Sequence, residues 1–223
     1  MVQLIVDGRK IRARQGEMVL QACLREEIYI PHLCFLENET RPSASCRLCF
    51  VQVEGEAMPV TACSRPVAQG MRIRTDTDAV RRLQRSALRL LLSAHDVDCK
   101  HCHANGACEL QRLGRFLTIG FKIRKLDRQL KPVSVDRAHP HIDHFPNRCV
   151  LCGLCIKKCR TQNGFPLLTF IGRGFTTVIR YYESGWGRPT ACSDCLACIE
   201  ACPVGALKLR STVKPSPDEP PSA

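Results

Sequence analysis

The sequence predicts an α+β chain made of several small units, and three observations carry that expectation. Residues 2–14 alternate apolar and polar side chains around Asp7-Gly8, which is a hairpin pattern. Residues 78–94 repeat their apolar positions at intervals of three and four, the period of an amphipathic helix. The sixteen cysteines are gathered into four groups, two of them identically spaced, with Cys23 standing apart. A length of 223 residues suits two or three small units as well as one large one.

Taken in order, VQLIVD and KIRAR form the arms of the hairpin, and Gly16 ends it. Glu17 to Glu26 suits a short helix with Val19, Leu20, Cys23 and Leu24 available for burial. Phe50-Val51-Gln52-Val53 and Met71-Arg72-Ile73-Arg74 read as further strands, completing a sheet wrapped over one helix in residues 1–75. Asp78 to Ala94 is the amphipathic helix, with Val80, Leu83, Ala87, Leu90 and Ala94 expected inside. Arg82, Arg85 and Arg89 fall on its opposite, solvated face. ELQRLGRFL suggests another short helix, which closes a unit over 76–118. Residues 119–144 read as a connecting loop, 145–210 as the unit holding the repeated cysteines, and 211–223, with four prolines, as a disordered tail.

Composition removes several classes. No basic leader with an apolar run and cleavage site opens the chain, and no run of about 18 apolar residues occurs. The expectation is a cytoplasmic protein without membrane insertion, in which cysteines serve metal or redox chemistry and not a disulfide frame. A formal charge of +12 would by itself suggest nucleic acid. That count, however, treats every thiol as neutral, whereas metal-bound cysteines are thiolates.

The spacing C-x2-C-x2-C-x3-C occurs twice, at Cys149, Cys152, Cys155 and Cys159, and at Cys192, Cys195, Cys198 and Cys202. In such runs three cysteines hold one [4Fe–4S] cluster while the fourth reaches across to the other. Cys202 is therefore expected with Cys149, Cys152 and Cys155, and Cys159 with Cys192, Cys195 and Cys198. Pro203 follows the second run as usual, but Arg160 follows the first, and Leu196 stands where Gly153 stands in the other copy. Zinc normally takes two separated C-x2-C knuckles and fits doubled triplets poorly. Cys99, Cys102 and Cys108 leave a cubane one ligand short. His95, four residues earlier at a helix end, supplies the imidazole on spacing grounds, with His101 and His103 nearby. Cys34, Cys46, Cys49 and Cys63 suit either a [2Fe–2S] cluster or zinc by local spacing. Their frame of hairpin, helix and cysteine loop resembles a β-grasp ferredoxin. Cys23, on the apolar face of the short helix, is read as a buried small hydrophobe.

These four sites in this order, with CRLCFVQVEG, CKHCHANGACELQ, NRCVLCGLC and CIEACPVGAL, resemble the small iron–sulfur subunit of NAD-reducing bidirectional hydrogenases. They are similar also to the N-terminal iron–sulfur region of the large complex I subunit and of [FeFe]-hydrogenases. The resemblance runs from residue 2 to about 208. It implies an N-terminal β-grasp [2Fe–2S] ferredoxin-like domain and a C-terminal two-cluster ferredoxin-like domain. Between them it implies a helical [4Fe–4S] segment with one histidine and three cysteine ligands. One [2Fe–2S] and three [4Fe–4S] clusters are its cofactors.

No G-x-G-x-x-G follows a strand and no flavin fingerprint occurs, so no catalytic residues are expected here. The reading is an electron-transfer subunit of an NAD(P)H-linked oxidoreductase, between a flavin-bearing, NAD(P)H-binding subunit and a hydrogenase-type catalytic subunit. The alternatives are the same module in a formate dehydrogenase, quinone-linked or electron-bifurcating complex, and, remotely, a zinc-rich nucleic-acid binder. Four loaded clusters would carry about −7, leaving the chain near +5. Lys157, Lys158 and Arg160, beside one cysteine run, are candidates for tuning a potential or meeting an acidic partner.

Overall fold

The hairpin forms as its turn residues require. In a computed structural model describing residues 1–37, 39, 42–122, 126–182 and 195–210, β1 (Val2–Val6) pairs antiparallel with β2 (Arg9–Ala13). Asp7 and Gly8 both take positive φ, 50° and 83°, which matches the right-handed twist of the two arms. The Asp7 carboxylate also accepts from the Thr75 backbone N–H at 2.8 Å and from its hydroxyl at 2.6 Å, tying the turn to the far end of the unit. Helix α1 (Val19–Arg25) follows, its first turn held by the Gln21 side chain accepting from Met18 N–H at 3.0 Å.

Strands β3 (Phe50–Val53), β4 (Val60–Thr61) and β5 (Arg72–Arg74) complete a five-stranded sheet in the order β2-β1-β5-β3-β4. The β1–β5 contact is parallel and the others are antiparallel. Alternate residues Leu4, Val6, Ile11, Ala13, Val51, Val53 and Ile73 point inward onto Val19, Leu20, Ala22 and Cys23 of α1. Cys23 is fully buried among them, and burial, with the charges of Asp7 and Glu17, pushes its thiol up to about 12.

Helix α2 (Asp78–Ser93) starts where Thr77 caps it, its hydroxyl accepting from Val80 N–H at 3.2 Å. Its buried face differs from the expected one. Val80 and Ala87 face inward, but Leu88 and Leu92 are buried with them, and Leu90 is 62% exposed. Gln84 is also buried and donates to the Phe50 carbonyl at 3.0 Å, fastening α2 to β3. Arg85 is not simply solvated, since its Nε donates to the Leu117 carbonyl at 3.0 Å.

After α3 (Glu109–Phe116), the stretch expected as a connecting loop ends in β6 (Ile142–His144). This strand pairs antiparallel with β9 (Leu207–Leu209), so His144 lies opposite Leu207. Between them come α4 (Leu154–Asn163), the hairpin β7 (Leu168–Ile171) and β8 (Val178–Tyr181), and the short α5 (Ala197–Glu200). One core cluster joins leucines of α2 and α3 to Cys34, Cys46, Cys149, Cys152, Cys155 and Cys198. These six thiols are thus core residues, while Cys99, Cys102, Cys108, Cys195 and Cys202 are partly exposed. Among the described residues no helix is long and apolar enough to cross a membrane. Cys192 and the tail 211–223 lie outside the described residues.

Candidate metal centres

The cysteines sit on loops that curl tightly. Arg47 lies between Cys46 and Cys49, Leu151 between Cys149 and Cys152, and Leu196 between Cys195 and Cys198. All three take left-handed φ, at 52°, 52° and 43°. A non-glycine residue in that region costs roughly 1–2 kcal/mol, so each loop is held there by its surroundings. The curl turns successive N–H groups inward. Leu151 N–H points at the Cys149 sulfur at 3.4 Å, and Cys46 N–H at the Cys34 sulfur at 3.5 Å.

At the first site the thiols stand as two facing pairs. Cys34 and Cys46 fall in one core cluster, with Cys46 N–H directed at the Cys34 sulfur at 3.5 Å, and Cys49 and Cys63 fall in the other. Hydrogen bonding from Cys46 holds the Cys34 thiol below its ordinary value, and that from Cys49 lowers Cys63. The donors Cys46 and Cys49 are pushed up by that bond and by burial. A two-iron cluster takes two thiolates on each iron, and two adjacent pairs fit that donor set. Among the described residues no three His, Cys, Asp or Glu side chains converge on a single-ion position.

Cys149, Cys152, Cys155 and Cys202 line one cavity together with His144, Val150, Ile179, Val204, Ala206 and Leu207. Burial pushes Cys149 up to about 11 and Cys152 to about 12, and raises Cys202. The four thiols expected to share a cluster, including the one reaching across from the second run, therefore face a common space. Apolar walls surround them, a setting that favours a ligand able to take all four as thiolates.

The third set is partly visible. Cys159 is buried in α4, its sulfur receiving Leu167 N–H at 3.3 Å and Asn163 Nδ2 at 3.5 Å. Cys195 and Cys198 lie at α5, which packs on α4, and Cys192 lies outside the described residues.

At the remaining site Cys108 lies within the field of Cys102 and Cys99. His95 follows the end of α2, and burial pushes its imidazole down to about 4, so it is neutral. Its Nδ1 is buried with no hydrogen-bond partner among the described residues. Of the two other histidines nearby, His101 is exposed with its Nδ1 on the Asp98 carboxylate at 2.9 Å, and His103 Nε2 meets the Leu207 carbonyl at 3.1 Å. A neutral ring with a free buried nitrogen has the donor chemistry of a metal ligand. Gly205 presses on this site, for a Cβ there would stand 2.6 Å from the Cys102 sulfur.

The sites adjoin. Cys34, Cys46, Cys149, Cys152, Cys155 and Cys198 lie in one core cluster with Cys108 and Cys202 packed on it, and Gly205, three residues after Cys202, lies against the Cys102 sulfur. Lys157, a candidate for tuning a potential or meeting an acidic partner, is paired with Glu39, joining α4 to the loop between Cys34 and Cys46. Sequence reasoning missed His144, which shares the cavity of Cys149. Only its place five residues before that cysteine hinted at it.

Comparison with known proteins agrees with this chemistry. Residues 1–78 match the family described as a 2Fe-2S iron-sulfur cluster binding domain, and residues 188–208 match a 4Fe-4S binding domain. Residues 84–120 match the NADH-ubiquinone oxidoreductase-G iron-sulfur binding region. The matched domains are of the 2Fe-2S and 4Fe-4S binding types. More particularly, the chain is similar to subunits named as belonging to NAD(P)H-linked hydrogenases and oxidoreductases. It is 33% identical over 207 residues to the NADPH-Fe(3+) oxidoreductase subunit alpha of Geobacter sulfurreducens, covering 93% of this chain and 24% of that one. It is 32% identical over 214 residues to the NADP-reducing hydrogenase subunit HndD of Solidesulfovibrio fructosivorans, covering 93% and 36%. The chain thus spans between a quarter and rather more than a third of the length of these curated relatives. A crystal structure of an NAD+-reducing [NiFe]-hydrogenase in the H2-reduced state contains a chain of the same fold. There the TM-score is 0.79 and the identity 29%, over 97% of this chain and 90% of that one.

Proposed function

We propose that this chain is the iron–sulfur electron-transfer subunit of a cytoplasmic NAD(P)H-linked oxidoreductase complex. It stands between a flavin-bearing, NAD(P)H-binding subunit and a hydrogenase-type catalytic subunit. Bound iron–sulfur clusters supply one-electron carriage. Cys34, Cys46, Cys49 and Cys63 would hold a [2Fe–2S] cluster. His95, Cys99, Cys102 and Cys108 would hold one [4Fe–4S] cluster, Cys149, Cys152, Cys155 and Cys202 a second, and Cys159, Cys192, Cys195 and Cys198 a third.

The observation that carries this reading is the adjacency of the sites: Cys149, Cys152 and Cys155 share one core cluster with Cys34, Cys46 and Cys198, and Cys108 and Cys202 pack against it. Four separate structural sites need no such contiguity, whereas a relay with a junction does. The chain's own residues bury cysteines among leucines, aim a backbone N–H at the Cys149 sulfur and line the central cavity with Val150, Ile179, Val204 and Leu207. The likeness to a chain of an NAD+-reducing hydrogenase, nearly end to end, supports the hydrogenase partner. Similarity to the NADH-ubiquinone oxidoreductase 75 kDa subunit of Reclinomonas americana, 32% identical over 207 residues, favours a second reading with a quinone-linked partner.

Splitting a hydride pair into single electrons is the work of a flavin. The purified, reconstituted chain is expected to bleach with dithionite but not with NADH or NADPH. Adding the flavin-bearing subunit encoded or purified with it should confer bleaching by the pyridine nucleotide. Rapid NAD(P)H oxidation by the flavin-free chain would overturn the proposal.

A further inference from the structure

His144 is the buried polar side chain that the thiol sets leave unexplained. It is 7% exposed, and both ring nitrogens are buried without a hydrogen-bond partner among the described residues. Such groups are rare in folded proteins, and each calls for a partner. The nearby carboxylate does not serve. Asp136 Oδ1 accepts from Ala138 N–H at 2.9 Å, and Oδ2 lies 3.7 Å from Arg180 Nε. The backbone of His144 is also engaged, its N–H and carbonyl pairing with Asp136 at 2.9 and 2.7 Å. The ring therefore sits on a fixed strand, with a donor to give and no described residue to receive it. It borders the cavity lined by Cys149, Cys152, Cys155 and Cys202.

We infer that His144 donates a hydrogen bond to a sulfur of the cluster held by those four cysteines and raises that cluster's reduction potential. The inference rests on the ligand assignment made above. A neutral imidazole carries one N–H donor, and sulfur of a thiolate-bound cluster is an acceptor. Reduction adds negative charge to the cluster, so a donor aimed at it stabilises the reduced state more than the oxidised one. In a dry cavity that difference is larger than in water. His144 is a positioning residue in this sense. It biases which of four adjoining sites holds an electron, and the biased site is the one neighbouring the other three.

The test is an EPR-monitored redox titration of the fully reconstituted chain, with iron content measured in parallel. His144→Leu should disfavour reduction of this one cluster roughly tenfold, about 59 mV for a one-electron couple, and leave the others unmoved. His144→Gln, which keeps an N–H donor, should recover most of the shift. An unchanged potential in a His144→Leu protein with full iron content would overturn the inference and leave the ligand assignment standing. Wild-type protein without iron would defeat the assignment itself. Should His144→Leu lose the cluster, wild-type protein with 15N-labelled histidine decides by pulsed EPR. A weakly coupled histidine nitrogen on the signal of the all-cysteine cluster, retained when His95 is replaced by Ala, supports the bond, and its absence overturns it.

Discussion

At the scale of single residues, the cysteines were legible and the histidines only in part. Thiolate ligation needs a loop of fixed length between sulfurs, so C-x2-C-x2-C-x3-C states its chemistry in the sequence itself. Spacing singles out His95 as well, four residues before Cys99. His144 was not, because its place at the cavity depends on a strand contact with Leu207, 63 residues away by the pairing register. No local pattern encodes that. The free Nδ1 of His95 against the engaged rings of His101 and His103 makes a definite prediction. His95→Ala should alter the EPR signal and potential of one [4Fe–4S] cluster, while His101→Ala leaves every cluster unchanged. Equal spectra for His95→Ala and wild type across a full titration would show that another group completes the site.

Whole elements were predicted where periodicity is unambiguous and misread where it is not. The hairpin at Asp7-Gly8 and the span of α2 followed from turn chemistry and period. The face of α2 did not, because residues 88–92 read Leu-Arg-Leu-Leu-Leu and offer apolar side chains in almost every phase. Tertiary packing chose among them: α2 turns Leu88 and Leu92 toward the leucines of α3 and the cysteine sites, leaving Leu90 outside. Leu88→Ala should therefore destabilise the loaded protein by about 2–5 kcal/mol, the usual cost of truncating a buried leucine. Leu90→Ala should stay within about 0.5 kcal/mol. Urea unfolding followed by helical circular dichroism and by cluster absorbance separates the two, and comparable losses would show that both faces are packed. β6 escaped notice for another reason. At three residues it is too short for an alternation signal and forms only because β9 returns to pair with it.

Over the whole molecule, the basic charge and the cysteine count belong to one account. A chain at +12 that gains several thiolate-bound clusters loses most of its excess charge, so loading should lower the isoelectric point well below about 9.2. Iron analysis of anaerobically reconstituted protein should give about fourteen iron atoms per chain, with broad absorbance near 400 nm. Four zinc atoms in a colourless protein would contradict the reading at every site. The order of the cysteine runs is readable because each run is local in the sequence, but the junction is not, since no spacing reveals which sites touch. That junction also imposes a timetable. The first site has all its thiols once Cys63 has been made, and the His95 site once Cys108 has. The central cavity waits for Cys202 and for β9 to close on β6. On a ribosome, where the chain emerges from its N-terminus, the site that all the others adjoin is thus the last for which every residue is at hand. The ligands proposed for the outlying sites are all present in the growing chain before those of the site that joins them.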